Sequence, residues 1–219
     1  MRYYPVCLDV RGKKCVVIGG GDVAERKVKR LLECGAKVVV VGKMLTPVLK
    51  EMVREDRIAH IDADYDEAYI NDAFLAIGAT DRDEVNERIS RQARRRNILV
   101  NIVDDPARCN FILPSLFQQG DLSIAISTGG KSPALARRLR EELEGQYGPE
   151  YAMLVDIMGE IREEVLARGC PFEDNKKLFT DIAKSDILRH IREKNWDCVK
   201  KIINNITGIN ITITEKTDN

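Results

Sequence analysis

A glycine-rich turn between an apolar run and a helical pattern is the feature that most restricts the fold of this chain. Residues 15–18 form a short apolar, β-branched run that ends at Gly19, Gly20 and Gly21. Over residues 22–34 apolar side chains recur at helical spacing, and a glycine follows where a helix C-cap belongs. A second apolar run over residues 37–41 completes the pattern. The sequence therefore predicts a βαβ unit whose glycine turn opens the helix.

The same alternation continues to residue 103. Further strands are predicted over residues 57–61, 74–79 and 98–103, with helices from Pro47 and over residues 84–96. Strands that alternate with helices through short connections predict an α/β fold with a Rossmann-type doubly wound parallel sheet. We assign residues 1–113 to this domain.

The pattern changes beyond Asp104. Strand candidates at 111–115 and 122–127 flank a glycine turn, and a helix follows from Ser132-Pro133. Residues 149–205 are helical in pattern apart from a break at 169–171, and residues 209–214 fit a half-buried strand and a disordered tail equally well. We predict a small α+β dimerisation and substrate region over 114–148 and a C-terminal helical domain over 149–219.

Charge and composition exclude several classes of protein. The 35 basic and 35 acidic side chains cancel, which removes the whole-molecule argument for a nucleic-acid or anionic-membrane binder. No apolar run approaches the roughly 20 residues of a membrane helix, and no signal peptide precedes the first strand, so we expect a cytoplasmic protein. Six cysteines without a C-x-x-C pair, and two histidines without a ligand partner, predict no metal site.

The glycine turn fits the dinucleotide-binding pattern G-x-G-x-x-[GA] at Gly19, Gly21 and Ala24. The first glycine allows the tight turn, the second lets a pyrophosphate approach the backbone, and the third small residue lets helix and strand pack closely. The acidic residue that usually binds the ribose is missing, because Lys43 and Met44 follow the second strand. Lys43 suits a 2′-phosphate, but a lysine at such a position is more often simply solvated, so these residues leave NAD and NADP both open.

Residues 125–132 form a second candidate phosphate-binding loop. It approaches a P-loop pattern, but its first residue lies inside a predicted strand and Pro133 removes a backbone N–H from the following helix. Its glycines, Lys131 and the helix N-terminus still form a general anion cradle. Arg137, Arg138 and Arg140 lie further along the same helix, where they add charge for a polycarboxylate or form a solvated face.

Asp104 is the carboxylate that we single out. It follows the fifth strand at the carboxyl edge, where open α/β sheets bind their ligands. A carboxylate there can act as a general base, and an aspartate before Asp-Pro is also a common turn residue.

Four segments taken together resemble a known family. Residues 17–27, 101–104, 111–115 and 126–136 follow in the order found in the precorrin-2 dehydrogenase/sirohydrochlorin ferrochelatase family, the N-terminal module of siroheme synthase. The resemblance covers roughly residues 3–145. It implies oxidation of precorrin-2 to sirohydrochlorin with NAD as hydride acceptor, followed in bifunctional members by insertion of ferrous iron as a substrate. It also implies a homodimer whose second domain crosses between subunits, and a methyltransferase that acts upstream as a separate protein.

The resemblance and the residue patterns described above together give the predicted site residues. Asp104 is the implied catalytic residue, and the cofactor set joins the glycine turn to residues that follow the first, second and fourth strands. That set is Gly19, Gly20, Gly21, Asp22, Val23, Lys43, Met44 and Thr80. The substrate set for a macrocycle with eight carboxylates is Ser127, Thr128, Gly129, Gly130, Lys131 and Arg137. We expect the lysine and the arginines near it to gather at the mouth of one cleft.

Two other functions compete with this interpretation. The first is an NAD(H)-binding regulatory or sensor protein without tetrapyrrole chemistry, whose C-terminal helices contact a partner. The second is a phosphoryl-transfer enzyme that uses Gly130, Lys131 and Ser132. Neither a nucleic-acid partner nor a membrane is expected.

Overall fold

A computed structural model describes residues 3–169 and 171–212 of the chain. Its internal contacts divide the chain into two compact units, the first ending at Leu113 and the second beginning at Pro114. Each unit has its own hydrophobic core. No helix in the described part of the chain is both long and apolar enough to cross a bilayer.

The first unit is a five-stranded parallel sheet with helices on both faces, in the strand order β3-β2-β1-β4-β5. Its strands are β1 (Lys14–Ile18), β2 (Lys37–Val41), β3 (Ala59–Ile61), β4 (Leu75–Gly78) and β5 (Leu99–Ile102). Its helices are α1 (Asp22–Glu33), α2 (Pro47–Arg54) and α3 (Asp83–Arg95), with 3₁₀ turns at Glu67–Ile70 and Pro106–Arg108. This order is that of a Rossmann fold, which confirms the predicted fold class.

The strands are largely apolar because the sheet is covered on both faces. Cys15 and Val17 of β1 pack in the layer of α1 and α2, whereas Val16 and Ile18 pack in the layer of α3. Successive strand residues point to opposite faces, so a strand buried on both sides reads as an unbroken apolar run.

The helix signals in this unit lie where the sequence placed them. Thr46 caps α2, with its hydroxyl accepting from the Leu49 amide at 3.2 Å, and Pro47 takes the first helical position. Gly35, just past α1, has φ +74, a left-handed conformation that suits glycine.

The second unit joins a hairpin to a group of helices. The hairpin pairs β6 (Ser115–Gln119) with β7 (Leu122–Ile126), and the helices are α4 (Pro133–Gln146), α5 (Pro149–Ala167), α6 (Phe172–Lys184), α7 (Ile187–Arg192) and α8 (Trp196–Thr207). The apolar faces of the helices from α5 to α8 meet in a core that contains Ile161, Ile182 and Ile203, each fully buried. A helical C-terminal region is thereby confirmed.

One strand prediction in this part of the chain was wrong, and the structure describes part of the segment for which a strand and a disordered tail were both left open. A strand was predicted at residues 111–115, but the observed strand runs from Ser115 to Gln119. The tight turn at Gly120, with φ +57, pairs Gln119 with Leu122, and the pairing extends back from there to Ser115. Pro114 also lacks an amide for the ladder. Residues 209–212 form no strand; Ile209 is instead buried against the helices, and residues 213–214 lie outside the described range.

Candidate functional site

The glycine turn after β1 is closed by backbone on two sides. A Cβ on Gly19, which has φ +117, would lie 2.2 Å from the Ala79 carbonyl oxygen at the end of β4. A Cβ on Gly20 would lie 2.0 Å from the Met44 carbonyl oxygen at the end of β2. The Thr46 amide also donates to the Gly20 carbonyl at 3.0 Å. The turn is therefore fitted between the segments that follow the two neighbouring strands.

Gly21 differs from the other two glycines. Among the described atoms, none lies within 4 Å of the position that its Cβ would take. Gly21 is also the N-cap of α1, and no described side chain caps that helix. The start of α1 thus has no side-chain cap and lies beside a backbone with open space in front of it, which are features of a pyrophosphate-binding turn. Ala24 is fully buried at the third small position, so α1 packs closely against the sheet.

The remaining predicted cofactor residues surround this turn. Asp22 begins α1, and Val23 follows it in the first helical turn. Lys43 and Met44 follow β2, and the Met44 side chain is 83% exposed. Thr80 comes directly after the Ala79 carbonyl that closes the turn, and its hydroxyl donates to Asn86 Oδ1 of α3 at 2.9 Å. The structure therefore brings the predicted cofactor residues together at the carboxyl edge of the sheet.

Sequence reasoning did not identify a carboxylate that lies at the same edge. Asp64, three residues past β3, accepts from Lys43 Nζ at 2.5 Å and from Arg82 Nη1 at 3.2 Å. The Lys43 ammonium, and then the Arg82 guanidinium, lower the pKa of Asp64, so its carboxylate stays charged at neutral pH. No local pattern around Asp64 signals this, because its two partners are 21 and 18 residues away.

Asp104 lies just past β5 at the same edge of the first unit. Its side chain is exposed and its φ is +60, a left-handed conformation that aspartate tolerates better than most residues. The next residue, Asp105, accepts from the Ala107 and Arg108 amides and so caps the 3₁₀ turn that follows. Asp104 is thus exposed to solvent, whereas the neighbouring Asp105 carboxylate is engaged in hydrogen bonds within the turn.

Helix α3 holds that turn in place. Arg108 forms ion pairs with Asp83 and, at 2.8 Å, with Glu87. Ser90 Oγ donates to the Arg108 carbonyl at 2.7 Å, and Arg94 donates to the Ala107 and Cys109 carbonyls at 3.0 Å. The backbone that carries Asp104 is therefore anchored to a helix that is itself buried against the sheet.

Lys27 of α1 is a cation whose pKa the charge of Asp104 affects. Its side chain is half-buried, and burial is the main reason that its pKa is lowered, with Arg26 adding to the effect. The charge of Asp104 opposes this shift and favours the ammonium form of Lys27. Lys27 stands in one of the resembling segments, but its position in a helical pattern gave no sign of this electrostatic interaction.

The predicted substrate residues lie in the second unit, on the loop between β7 and α4. Gly129 and Gly130 have φ +64 and +84 and are open to solvent. Ser127 Oγ accepts from the Gly129 amide at 3.1 Å, and Thr128 Oγ1 accepts from the Ser132 amide at 3.0 Å. Both hydroxyls can still donate to an anion. β7 runs through Ala125 and Pro133 begins α4, which removes the loop length that a P-loop needs.

The arginines of α4 form ion pairs along their own helix, and their gathering at the mouth of one cleft stays a prediction. Arg137 pairs with Glu141 at 2.9 Å, Arg138 pairs with Glu142 at 2.8 Å, and Arg140 pairs with Glu144. Each glutamate lies one helical turn away, so the arginine charges are balanced along the helix itself. Of this set, Arg137 stays a predicted substrate contact.

A cavity of about 690 Å³ lies elsewhere in the second unit, between α5 and α6. Its floor is apolar and includes Met158 and Phe179, and three cations line it: Arg162, Lys176 and Lys184. None of the residues predicted from the sequence lines this cavity.

Comparison with known proteins gives relatives along most of the chain. A solved structure named SirC, precorrin-2 dehydrogenase, superimposes with a TM-score of 0.78 at 26% identity, covering 94% of this chain and 100% of that one. A siroheme synthase of Nitrosospira multiformis is 42% identical over 77% of this chain and 36% of its own length. A siroheme synthase of Methylobacillus flagellatus is 39% identical over 83% of this chain and 39% of its own length. The chain thus spans less than two fifths of these two relatives.

The strand order, the glycine turn and the open start of α1 define a dinucleotide-binding protein of the Rossmann class. Residues 6–115 match the family model described as "Putative NAD(P)-binding", and residues 119–146 match the one described as "Sirohaem biosynthesis protein central". The chain belongs to the family of precorrin-2 dehydrogenases and siroheme synthase N-terminal modules.

Proposed function

We propose that this protein oxidises precorrin-2 to sirohydrochlorin with NAD as the hydride acceptor. The observation that carries the proposal is the likeness to the structure named precorrin-2 dehydrogenase, which extends over 94% of this chain and all of that chain. The match of residues 119–146 to a sirohaem biosynthesis model supports the same activity.

The first unit supplies the cofactor site in this proposal. The open backbone at Gly21 and the uncapped start of α1 would hold the pyrophosphate, and Thr80 lies beside the turn where the nicotinamide half would pass. Bound NAD accepts a hydride at C4 of its nicotinamide ring. The chain's own part is to orient the ring and the substrate at the carboxyl edge of the sheet.

Asp104 is the proposed proton acceptor. Oxidation of precorrin-2 removes a hydride and a proton; the hydride passes to NAD, and the proton passes to the Asp104 carboxylate and from there to solvent. The exposed side chain and the anchored turn fit this role, since a general base must be both reachable and fixed in direction.

The loop before α4 is the proposed binding surface for substrate carboxylates. Ser127, Thr128 and Lys131 offer hydroxyl and ammonium donors, and Gly129 and Gly130 beside them are exposed. Carboxylates accept such charge-assisted hydrogen bonds strongly. Arg137 completes the proposed set, although Glu141 shares its charge.

We propose a homodimer that uses α4. Leu135 and Leu139 stand one turn apart on that helix and are 48% and 37% exposed. A stripe of exposed leucines is typical of a surface that a second chain covers. We also propose that the protein works in the cytoplasm.

The proposed activity is tested with the full chain, precorrin-2 and NAD under anaerobic conditions, with the absorbance of the macrocycle and of NADH followed together. We expect sirohydrochlorin and NADH to form in equal amounts. Asp104→Asn should lower turnover at least about a hundredfold, because the amide keeps the left-handed turn but cannot take a proton. Its affinity for NADH should stay within about twofold, because Asp104 is not among the proposed cofactor contacts.

Asp62→Asn is the matched control, because it removes an exposed carboxylate elsewhere on the same unit. Turnover by Asp104→Asn at the wild-type rate would exclude Asp104 as the base. Binding of NADH with no turnover of precorrin-2 by the wild-type chain would instead favour the regulatory alternative. Addition of ferrous ion after the first step tests separately the prediction that iron is a second substrate.

A further inference from the structure

The sequence lacks an acidic residue directly after β2, yet the fold places one there. The Gly42 amide donates to the Ile61 carbonyl at 3.0 Å, which keeps the ends of β2 and β3 side by side. Asp64 follows β3 by three residues and lies 2.5 Å from the Nζ atom of Lys43, which follows β2 by two residues. A carboxylate from the third strand therefore stands at the end of the second strand.

The same carboxylate reaches toward β4. Arg82, four residues past β4, lies 3.2 Å from Asp64. Strand order places β2 and β1 between β3 and β4, so the three charged side chains span the carboxyl ends of β2 and β1. That edge holds the glycine turn, and a dinucleotide on the turn extends its adenosine half toward β2.

We infer that Asp64 is the residue that makes this site select NAD over NADP. It would accept hydrogen bonds from the hydroxyls of the adenosine ribose, as the acidic residue at the end of the second strand does in other Rossmann folds. This inference rests on the proposed cofactor site and extends it to the ribose.

The charges around Asp64 explain the direction of the selection. Lys43 and Arg82 are the cations near the ribose position, and both donate to the Asp64 carboxylate. A 2′-phosphate would meet the carboxylate's negative charge, and the two cations that could bind it are already engaged. Without the carboxylate, an ammonium and a guanidinium would be free to bind the phosphate.

The test is a comparison of dissociation constants for NADH and NADPH, measured by fluorescence titration of the full chain without any tetrapyrrole. For Asp64→Asn we expect NADH to bind about tenfold more weakly and NADPH about tenfold more tightly, which shifts their ratio about a hundredfold. Asp62→Asn is the matched control and should leave the ratio unchanged. The double variant Lys43→Met/Asp64→Asn should lose the gain in NADPH affinity.

Circular dichroism and urea unfolding establish that each variant is folded. An unchanged ratio for Asp64→Asn, with NADH still bound, overturns the inference and leaves the proposed cofactor site standing. An equal shift in Asp62→Asn also overturns it, because the effect would then come from net charge alone. If the wild-type chain binds neither dinucleotide, the proposed cofactor site and the inference both fall.

Discussion

Gly19 and Gly21 are both glycines, but different constraints act at the two positions. At Gly19 the left-handed backbone and the Ala79 carbonyl oxygen, 2.2 Å from a Cβ, leave no room for any side chain. At Gly21 the backbone is one that other residues adopt, with φ −83, and the space in front of it is open. The first glycine serves folding, and the second leaves a surface bare for a ligand.

Alanine at each position should separate these two constraints. Gly19→Ala should lower the free energy of unfolding by about 3 kcal/mol or more, because the clash is with backbone and φ is unfavourable. Gly21→Ala should change the free energy of unfolding by no more than about 0.5 kcal/mol. It should weaken the binding of NADH at least about tenfold. Urea unfolding and NADH titration measure the two effects. A stable, NADH-binding Gly19→Ala variant would contradict this account of the turn.

At the scale of elements, one buried hydrogen bond joins the segment after β3 to helix α3. The Tyr65 hydroxyl donates to Gln92 Oε1 at 2.6 Å, and both side chains are more than nine-tenths buried. Burial raises the pKa of Tyr65 to about 12. Because Asp64 precedes this residue directly, the same contact fixes the base of the segment that carries the Asp64 carboxylate.

Tyr65→Phe should lower the free energy of unfolding by about 1–3 kcal/mol, because it leaves the Gln92 amide without its partner. The loss should depend on pH. An unfolded tyrosine ionises near pH 10, whereas the folded one holds its proton to about pH 12. The contribution of Tyr65 is therefore complete below pH 10 and is lost as pH rises from 10 to 12. Urea unfolding of the wild type and of Tyr65→Phe at pH 8, 10 and 11.5 should show that the difference between their free energies of unfolding decreases as the pH rises. A difference that stays constant with pH would contradict this prediction.

At the scale of the whole molecule, the exposed leucines of α4 define the proposed dimer surface. Leu135→Glu/Leu139→Glu should shift the protein from dimer to monomer in sedimentation velocity, because two charges would enter a surface that must lose its water. Val48→Glu on α2 is the matched control, since Val48 is also exposed, at 40%, but lies in the first unit. A dimer that survives the α4 substitutions places the interface elsewhere.

The sequence predicted the first unit more completely than the second for a physical reason. Parallel strands buried on both faces leave unbroken apolar runs such as residues 37–41, and glycine and capping signals such as Thr46 mark the helix ends. In the second unit the hairpin register depends on one turn, and residues 111–115 could not reveal where pairing begins.

The candidate site divides in the same way. The glycine turn and Asp104 follow strands directly, so their place at the sheet edge could be predicted from the chain. Asp64 and Lys27 could not, because their significance depends on side chains from distant parts of the sequence that only the folded sheet brings near. The arginines of α4 differ in this respect, because their partners are close in the sequence. Glutamates one helical turn away pair with them and balance their charge.

The packing around the glycine turn also bears on how such a chain would diverge. Gly19 and Gly20 are fixed by the carbonyls of Ala79 and Met44, whatever the protein binds. A descendant that no longer used a dinucleotide would still need both of them to fold, and only Gly21 would be free to drift. Gly19 and Gly20 would thus be retained because the fold requires them, and only Gly21 would be retained because a ligand binds there.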